Sequence, residues 1–393
     1  MTRATQGQDA RWNDPAWFKE MRDNEPVWFD PDLRMWHAFR YQDVARVLSE
    51  YELFGSDFSQ LFPDRADLVA GNILAMDPPR HHRLRRLVSQ AFTPRAIAEL
   101  EGRIVELTDE LLDQAGERDH LELVGDLSYP LPVIVIAELL GVPAEDRLVF
   151  KSWADDLLDQ ENVDPTDKAA IDESAQRLEK FRDYLRGHLA ERRRHPRRDL
   201  LTDLDAAEID GEKLDDQEIV GFATVLLLAG HITTTVLLGN SIRCLDEHPE
   251  AQDALRANPE GLPAAIEEVL RYRSPFTRSA RFTTTEVTLG DQVIAAKSLV
   301  NVWIDAANRD ERQFDRPDEF VPDRSPNPHL GFGRGIHFCI GAPLARLEAK
   351  LALRILLTRF SALRVDPTRP LEPYANPGIN GVKELHLIVE PAG

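Results

Sequence analysis

Apolar residues recur at three- and four-residue spacing along much of the chain, which is the spacing of one buried face of an α-helix. This helical pattern is clearest at positions 43–48, 96–112, 131–140 and 264–272. Shorter runs typical of strands occur near positions 28–39, 282–289, 299–304 and 385–389. The chain is therefore predicted to be mainly α-helical, with small β-sheets at the edges of the fold.

The longest helical pattern runs from about Leu214 to Glu247. Asp215 followed three residues later by Glu218 is typical of a helix start, and His248-Pro249 is typical of a stop. About thirty residues at ~1.5 Å each give a rod roughly 45 Å long, which is enough to cross a whole domain. A membrane span over 222–238 is the alternative. Because a histidine and three consecutive threonines lie in its middle, we expect a buried central helix instead.

Composition limits the domain organisation and the location of the protein. The 393 residues contain no Gly/Ser linker, low-complexity tract or internal repeat, so one domain over 1–393 is expected. The 2 cysteines favour a reducing compartment over a disulfide framework. Residues 1–15 are polar and lack the apolar core of a signal peptide or membrane anchor, so we expect a cytoplasmic protein without a membrane. A formal net charge of −21 argues against nucleic acid as a partner.

The most specific chemistry lies in Phe332-Gly333-Arg334-Gly335-Ile336-His337-Phe338-Cys339-Ile340-Gly341. Cys339 comes just before a helical pattern that starts near Ala342-Pro343, where proline suits the first turn. Unpaired N–H groups and the positive end of the helix dipole favour the thiolate there. The glycines would let the backbone approach a flat, bulky group. A lone cysteine ligand suggests haem, because zinc and iron–sulfur sites need several ligands. The competing interpretation is an inert, buried cysteine.

The spacing of this stretch resembles the haem-binding loop of the cytochrome P450 family. The resemblance covers the chain from about Trp36 to its C-terminus. It implies the mainly helical P450 fold and haem b (iron protoporphyrin IX) as the cofactor. It also implies that Cys339 is the metal ligand, with Gly341 in the same cofactor-binding loop. Members of the family are haem-thiolate monooxygenases, in which the thiolate promotes cleavage of the O–O bond.

The central helix contains Ala229-Gly230-His231-Ile232-Thr233-Thr234, which resembles the family's oxygen-binding segment. The resemblance implies that the small pair Ala229-Gly230 lets the backbone pass close to the haem. It also implies that Thr233 positions a proton-donating water, which O–O cleavage requires. The competing expectation is a threonine that bonds back to the carbonyl one turn earlier. Ile232 replaces the family's acid and cannot relay a proton, so water, Thr234, a substrate hydroxyl or another acid would take its place.

Haem propionates need cationic partners. The stretch 77–85 resembles the family's His-x-x-x-Arg turn, which assigns His81 and Arg85 to the cofactor, four residues apart on one helical face. Arg281 and His337 match two further cofactor-binding positions of the family. The competing interpretation of His81 is a surface histidine. The neighbours that could be confused with the first pair are His82 and Arg86.

Glu268-Val269-Leu270-Arg271 resembles the family's Glu-x-x-Arg motif. Side chains three residues apart on a helix can pair, and in the family this pair is buried and organises the loop under the haem. Segments 308–310 and 317–320 resemble the stretch that completes the network. Because Glu319 replaces the arginine usual in that stretch, we expect Arg324 or Arg309 to substitute for it.

No flavin or dinucleotide pattern follows the haem region, so the resemblance implies an external ferredoxin or flavodoxin with its reductase. Such partners are acidic and the chain is acidic overall, so a local basic patch near Cys339 is expected to bind them. Each candidate could equally be a solvated surface arginine. The candidates are Arg83, Arg86, Arg95, Arg334 and Arg346.

The resemblance implies a monooxygenase that uses O2 and partner-supplied electrons to hydroxylate or epoxidise an organic substrate. The segment around Ile232 and the stretch 36–40 resemble macrolide-pathway hydroxylases of the erythromycin type, so a macrolide or related polyketide in antibiotic biosynthesis is expected. A steroid, terpenoid or fatty acid is the alternative substrate. A peroxygenase or isomerase is the alternative enzyme, and a non-catalytic haem-binding or carrier-protein-docking module is the alternative of another class.

From Asp155 to Glu173 the chain carries eight acidic residues against a lone Lys168. In the family this region forms lid helices over the substrate channel. A solvated acidic face is one interpretation. The other is attraction of a protonated amino sugar, by steering rather than affinity, because an exposed ion pair contributes at most about 1 kcal/mol. The segments expected to line the pocket are 56–71, 157–182, 225–233, 276–280 and 378–382.

Overall fold

The computed structural model describes residues 14–62, 71–116, 119–146, 149–150, 152–153 and 168–392. The chain divides into two compact units according to its internal contacts. Unit 1 comprises Met1–Phe62, Asn240–Ile340 and Glu372–Lys383. Unit 2 comprises Pro63–Gly239, Gly341–Leu371 and Glu384–Gly393. The single domain expected over 1–393 stays a prediction.

Helices dominate the secondary structure and the strands are short, as the sequence predicts. The helices are α1 (Pro15–Asn24), α2 (Tyr41–Ser49), α3 (Arg80–Ala91), α4 (Pro94–Ala98), α5 (Glu101–Ala115), α6 (Pro130–Leu139), α7 (Lys168–Arg194), α8 (Leu200–Ala206), α9 (Asp216–Glu247), α10 (Pro249–Ala257), α11 (Leu262–Tyr272), α12 (Ile304–Ala307) and α13 (Ala342–Arg359). The strands are β1 (Val27–Asp30), β2 (Met35–Ala38), β3 (Phe54–Gly55), β4 (His120–Glu122), β5 (Glu208–Ile209), β6 (Glu212–Lys213), β7 (Arg278–Thr283), β8 (Val287–Leu289), β9 (Gln292–Ile294), β10 (Leu299–Trp303), β11 (Phe360–Val365) and β12 (His386–Pro391).

Unit 1 is built on a five-stranded sheet in the order β1-β2-β10-β7-β3. β2 and β10 run parallel, and the other neighbouring pairs run antiparallel. Val300 and Val302 of β10 are fully buried and pack with Val44 of α2. Trp303, at the end of β10, packs with Phe18 of α1. The central strand is therefore held between apolar side chains, which positions the segments that follow it.

The strand pattern predicted over 28–39 is two strands rather than one. β1 and β2 form an antiparallel hairpin in which Trp28 pairs with His37. The Asp30 carboxylate accepts hydrogen bonds from the backbone N–H groups of Asp32 and Leu33, and Arg34 has a φ of 54°. A side chain that bonds the backbone two residues onward offers an alternative to the strand ladder. This turn therefore divides the predicted strand.

Unit 2 is mainly helical, with a three-stranded antiparallel sheet in the order β11-β12-β4. α13 packs against α5 and continues directly into β11. The helix predicted over 96–112 is divided between α4 and α5, because the Leu100 N–H bonds to the Ile97 carbonyl in a tighter turn. The Thr93 side chain caps α4 by accepting from the Ala96 N–H.

α9 confirms the predicted long central helix, and it begins at Asp216. Asp215 and Glu218 exchange hydrogen bonds between side chain and backbone at 3.0 and 2.8 Å, which forms the expected capping box. By length and composition this helix could cross a membrane, but 72% of its most apolar window is buried inside the protein. It is therefore a core helix, as the polar residues in its middle predict.

Candidate active site

The loop that carries Cys339 lies in unit 1 and has a defined backbone. The Cys339 N–H donates to the Phe332 carbonyl at 2.9 Å, and Gly335–His337 forms a short 3₁₀ turn between them. Cys339 is half-buried, and α13 starts three residues later with Pro343 in its first turn. The start predicted from the proline is confirmed.

Two glycines of this loop adopt a left-handed backbone, with a φ of 68° at Gly333 and 71° at Gly335. A Cβ on Gly335 would lie 2.7 Å from the Leu48 carbonyl oxygen and 2.8 Å from the Ser49 Cα atom. Glycine is therefore required at position 335 because the backbone there lies close to the end of α2. The approach to a flat group, which the sequence suggested, is not needed to explain it. Gly341, the first residue before α13, has an ordinary φ of −80°.

Behind the loop, Glu268 and Arg271 form a fully buried ion pair on α11. Two parallel hydrogen bonds of 2.8 Å join the guanidinium and the carboxylate. Arg271 also donates to the Asn308 carbonyl at 2.9 Å, and the Asn308 side chain accepts from the Leu330 N–H at 2.8 Å. This chain of bonds runs from the ion pair to the residue two positions before Phe332. The structural role predicted for the Glu-x-x-Arg motif is confirmed.

Arg324, and not Arg309, substitutes for the arginine missing at position 319. The Arg324 Nε atom lies 3.1 and 3.0 Å from the two carboxylate oxygens of Glu268. Arg309 instead donates to the Tyr272 carbonyl and lies over the Tyr272 ring. The Glu268 carboxylate is therefore shared by two guanidinium groups, which lets it remain buried.

The network also has members that the motif does not show. Asn327 donates its amide to Glu268 at 3.2 Å, and the Val321 N–H donates at 2.8 Å. Both residues are more than fifty positions from Glu268 and lie in irregular chain. No periodicity or spacing in the sequence marks them, because their contacts depend on how the segment folds back.

In unit 2, the middle of α9 has one accessible face. Residues 221–239 are buried except for a half-buried stripe at helical spacing, which comprises Val225, Leu228, Ala229, Gly230 and Thr233. The stripe includes Ala229, Gly230 and Thr233 of the predicted oxygen-binding segment, whereas Ile232 and Thr234 are buried. A helix that is otherwise covered thus presents small and apolar groups, with one hydroxyl, on its open side.

Thr233 donates its hydroxyl to the Ala229 carbonyl at 2.7 Å. Thr234 and Thr235 make the same bond to the carbonyls four residues earlier, at 2.9 Å each. The structure therefore contains the competing arrangement, in which each threonine hydroxyl bonds back to the carbonyl one turn earlier. Because the Thr233 hydrogen is used, its oxygen retains lone pairs that can only accept a hydrogen bond.

Gly230 and His231 face other parts of unit 2. A Cβ on Gly230 would lie 2.6 Å from the Ile136 Cδ1 atom of α6. His231 is fully buried, its Nδ1 atom lies 2.6 Å from the Leu227 carbonyl oxygen, and its ring packs edge-on against Tyr129. Packing against α6 therefore explains this glycine without a haem.

On α3, burial separates the predicted propionate partners from their neighbours. His81 is fully buried and Arg85 half-buried, whereas His82 and Arg86 are exposed. Burial, followed by the positive charges of Arg85 and His82, lowers the pKa of His81 to about 4. His81 is therefore a neutral N–H donor at pH 7 rather than a surface cation, and an anion bound to it would raise its pKa again.

Arg281 and His337 lie in unit 1. Arg281, on β7, is 9% exposed and donates to the Ala280 carbonyl at 2.7 Å. His337 is half-buried at the end of the 3₁₀ turn that precedes Cys339. Both are thus held within the unit that carries the cysteine loop.

The basic patch expected for a redox partner is partly neutralised. Arg83 pairs with Glu218 at 2.5 Å, and Arg86 pairs with Asp210 at 3.3 Å. Arg95 is 90% exposed, 3.5 Å from Glu99. Arg334 is exposed and Arg346 half-buried. Acidic neighbours therefore reduce the local positive charge at the first two sites, and the patch stays a prediction.

The acidic run lies mostly outside the described residues, which exclude 154–167. Of its members, Glu173 is described on α7, where it is exposed and pairs with Arg177 at 2.9 Å. Parts of the expected pocket segments, 63–70 and 157–167, also lie outside the described residues. The attraction of a cationic sugar stays a prediction.

The chemistry of the described donors fits a haem better than a metal ion with several protein ligands. Among the described residues, no cluster of three or more His, Cys, Asp or Glu side chains could hold a metal ion. Cys244 is fully buried, and burial raises the pKa of its thiol to about 12, so it is inert. The half-buried Cys339 is thus the thiol that can serve as a ligand, and a single thiolate ligand suits haem.

Comparison with known proteins identifies the class. The Cytochrome P450 family model matches residues 166–384. Erythromycin C-12 hydroxylase of Saccharopolyspora erythraea is 47% identical over 352 residues, covering 89% of this chain and 88% of that protein. Cyclomarin C epoxidase CymV of Salinispora arenicola is 43% identical over 374 residues, covering 94% of each. The chain belongs to the cytochrome P450 family of haem-thiolate monooxygenases.

Solved structures agree with this assignment and with the P450 fold. The open form of cytochrome P450 EryK from S. erythraea matches with a TM-score of 0.90 and 44% identity, covering 96% of each chain. HmtT, involved in himastatin biosynthesis, matches with a TM-score of 0.88 and 47% identity, covering 95% of this chain and 96% of that one. Bacterial members of the family generally need redox partners and act on small molecules.

Replacing Arg324 with alanine should destabilise the protein by about 3 kcal/mol, because Glu268 would lose one of its two buried counter-charges. Arg324→Lys should recover part of the loss. The matched control is Lys383→Ala, which removes an exposed ion pair of unit 1 with Glu372 and should cost less than about 1 kcal/mol. Urea unfolding of the holoenzyme measures both. Equal stabilities of Arg324→Ala and the wild type would show that Arg324 does not support this network.

Proposed function

We propose that the protein is a cytoplasmic monooxygenase that uses haem b, O2 and electrons from a ferredoxin or flavodoxin and its reductase to hydroxylate or epoxidise a macrolide or related polyketide. The observation that carries the proposal is the loop 332–341. It combines the family's spacing with a half-buried thiol, a backbone closed by the bond from Cys339 to Phe332, and a connection to the buried ion pair on α11.

In this proposal the Cys339 thiolate would bind the haem iron. His81, Arg85, Arg281 and His337 bind the propionates, and the Gly341 backbone belongs to the cofactor loop. The burial of His81 and Arg281 supports this role, since charge-assisted bonds to a carboxylate strengthen when water is excluded. When bound, the haem supplies the activation of dioxygen. The chain's own groups then orient the substrate, exclude water and hold the proton donor.

Thr233 is proposed to hold that donor. With its hydrogen committed to the Ala229 carbonyl, the Thr233 hydroxyl oxygen can accept a hydrogen bond from a water molecule and fix its position. In this proposal the small residues Ala229 and Gly230 would let the backbone of α9 pass close to the haem. Thr234 is buried and bonded to the Gly230 carbonyl, which makes it a weaker candidate for the second proton. Since Ile232 is buried and apolar, water or a substrate hydroxyl supplies the remaining proton.

The substrate class rests on relatives and on charge. The names of the two curated relatives, Erythromycin C-12 hydroxylase and Cyclomarin C epoxidase, support a large secondary metabolite and both proposed reactions. The acidic run from Asp155 to Glu173 supports a cationic amino sugar on that molecule. Attraction at a solvated rim accelerates encounter more than it raises affinity, so salt should mainly slow association.

Replacing Cys339 with serine should remove thiolate ligation. The wild-type ferrous–CO complex should show the strongly red-shifted Soret band of thiolate-bound haem, and Cys339→Ser should lose it. Cys244→Ser is the matched control and should keep the band, because that thiol is buried in unit 1 and inert. A thiolate band that survives in Cys339→Ser would overturn the assignment of the ligand.

Replacing Thr233 with alanine should keep substrate binding but divert electrons from product to peroxide or water, because the donor water is no longer fixed. The ratio of product formed to reductant consumed should fall several-fold. Thr224→Ala is the control, since Thr224 makes the same bond, to the Val220 carbonyl at 2.8 Å, from the buried side of α9. Unchanged coupling in Thr233→Ala would exclude this role.

A further inference from the structure

Two segments of unit 1 that the sequence predicts to line the substrate pocket, 276–280 and 378–382, are joined edge to edge. The Thr277 N–H donates to the Gly378 carbonyl at 3.0 Å, and the Asn380 N–H donates to the Pro275 carbonyl at 2.9 Å. The Thr277 hydroxyl also donates to the Pro377 carbonyl at 3.3 Å. Segments 275–280 and 376–382 therefore share a short antiparallel bridge, and any shift of one is transmitted to the other.

Asp305, the second residue of α12, touches both partners of this bridge. Its backbone N–H donates to the Thr277 carbonyl at 3.2 Å, next to a 2.8 Å bond from the Ile304 N–H. Its Oδ2 atom accepts a 3.5 Å hydrogen bond from the Asn380 side-chain amide. The Asn380 carbonyl in turn accepts from the Asn240 amide at 2.7 Å. Asp305 thus contacts one segment through its backbone and the other through its side chain.

Burial of the Asp305 side chain costs folding free energy. Its Oδ1 atom is buried and has no hydrogen-bond partner within the part of the chain that the structure describes. Burial raises the pKa of this carboxyl to about 7, opposed by the positive charge of Arg309. A buried carboxylate oxygen without a donor destabilises a fold, so an amide or an apolar residue would be more stable at this position.

Other charged side chains near Asp305 make their contacts with other groups. Arg22 of α1 donates to the Ala306 carbonyl and pairs with Glu311. Arg278 of β7 lies over the Trp303 ring, and Asp43 is the buried acid of α2. Burial therefore sets the direction of the pKa shift of Asp305, and Arg309 is the charged group that opposes it.

We propose that Asp305 is a specificity-determining positioning residue, which with Asn380 clasps segment 376–382 against segment 275–280 and so sets the shape of the substrate pocket. The inference rests on the proposed function for the role of these segments. Burial penalises the ionised carboxylate, so ionisation favours any opening of the clasp that lets water reach Asp305. The clasp is therefore tighter when Asp305 is protonated and looser when it is ionised, and substrate selection depends on pH near neutrality.

Hydrogen–deuterium exchange of the holoenzyme tests the clasp without a ligand. After correction for intrinsic exchange, wild-type peptides covering 373–383 should be several-fold better protected at about pH 6 than at about pH 8. Asp305→Asn should show the same protection at both pH values, and Asp305→Ala should lose protection at both. Asp315→Asn, which neutralises an exposed carboxylate of unit 1, should behave as the wild type. Wild-type behaviour of both Asp305 variants would overturn the proposal.

Stability separates positioning from a merely structural role. Because the pKa of Asp305 is raised on folding, its contribution to stability is present below about pH 4 and is lost as the pH rises toward 7. Asp305→Asn should therefore unfold at a higher temperature than the wild type at about pH 8, with a gap that narrows toward about pH 5. A lower unfolding temperature for Asp305→Asn at about pH 8 would make the carboxylate a structural support and contradict the inference.

The preference of the enzyme for one ligand over another measures the functional effect of Asp305. The ratio of the spectral dissociation constants of erythromycin and testosterone should change several-fold in Asp305→Ala, while the ferrous–CO thiolate band is retained. An unchanged ratio would overturn the positioning role and leave the proposed function intact. Loss of the thiolate band in the wild type would instead defeat the proposed function.

Discussion

One buried carboxylate, that of Glu268, organises unit 1 around the cysteine loop. It is fully buried and accepts hydrogen bonds from Arg271 and Arg324. An unpaired charge at this depth would cost several kcal/mol, so loss of either arginine should destabilise the unit. Through Arg271 the constraint reaches the Asn308 carbonyl, and through the Asn308 side chain it reaches Leu330, just before the loop. The irregular chain before the loop is thus connected by hydrogen bonds to a buried ion pair.

Burial also determines which residues of α9 form its accessible stripe. Neighbouring residues cover almost all side chains of a long helix in the core of a unit. The few side chains that remain accessible therefore mark the face at which chemistry can occur. On that face Thr233 is the hydroxyl, and Ile232 points into the packed side. In the proposed mechanism this face offers few protein proton donors, because Ile232 stands where the family has an acid, and the reaction would depend on ordered water or on the substrate itself.

Local patterns in the sequence predicted the elements that depend on local interactions. The capping box of Asp215 and Glu218, the central helix and the helix after Cys339 follow from spacing alone, and the burial of His81 rather than His82 follows from the family's turn. Contacts between distant segments could not be predicted in this way. The choice of Arg324 over Arg309 and the contact of Asp305 with Asn380 depend on how irregular segments fold back. The packing reasons for Gly230 and Gly335 likewise appear only in three dimensions.

We propose that this protein transfers one atom of dioxygen to a macrolide-like substrate. The most direct measurement incubates the holoenzyme with a ferredoxin, its reductase, reduced nicotinamide and an amino-sugar macrolide under oxygen-18 gas, followed by mass spectrometry of the product. We expect a product that contains one heavy oxygen atom, and no label when the heavy isotope is supplied as water. An unlabelled product, or turnover of neutral steroids and fatty acids while the macrolide is left unchanged, would contradict it.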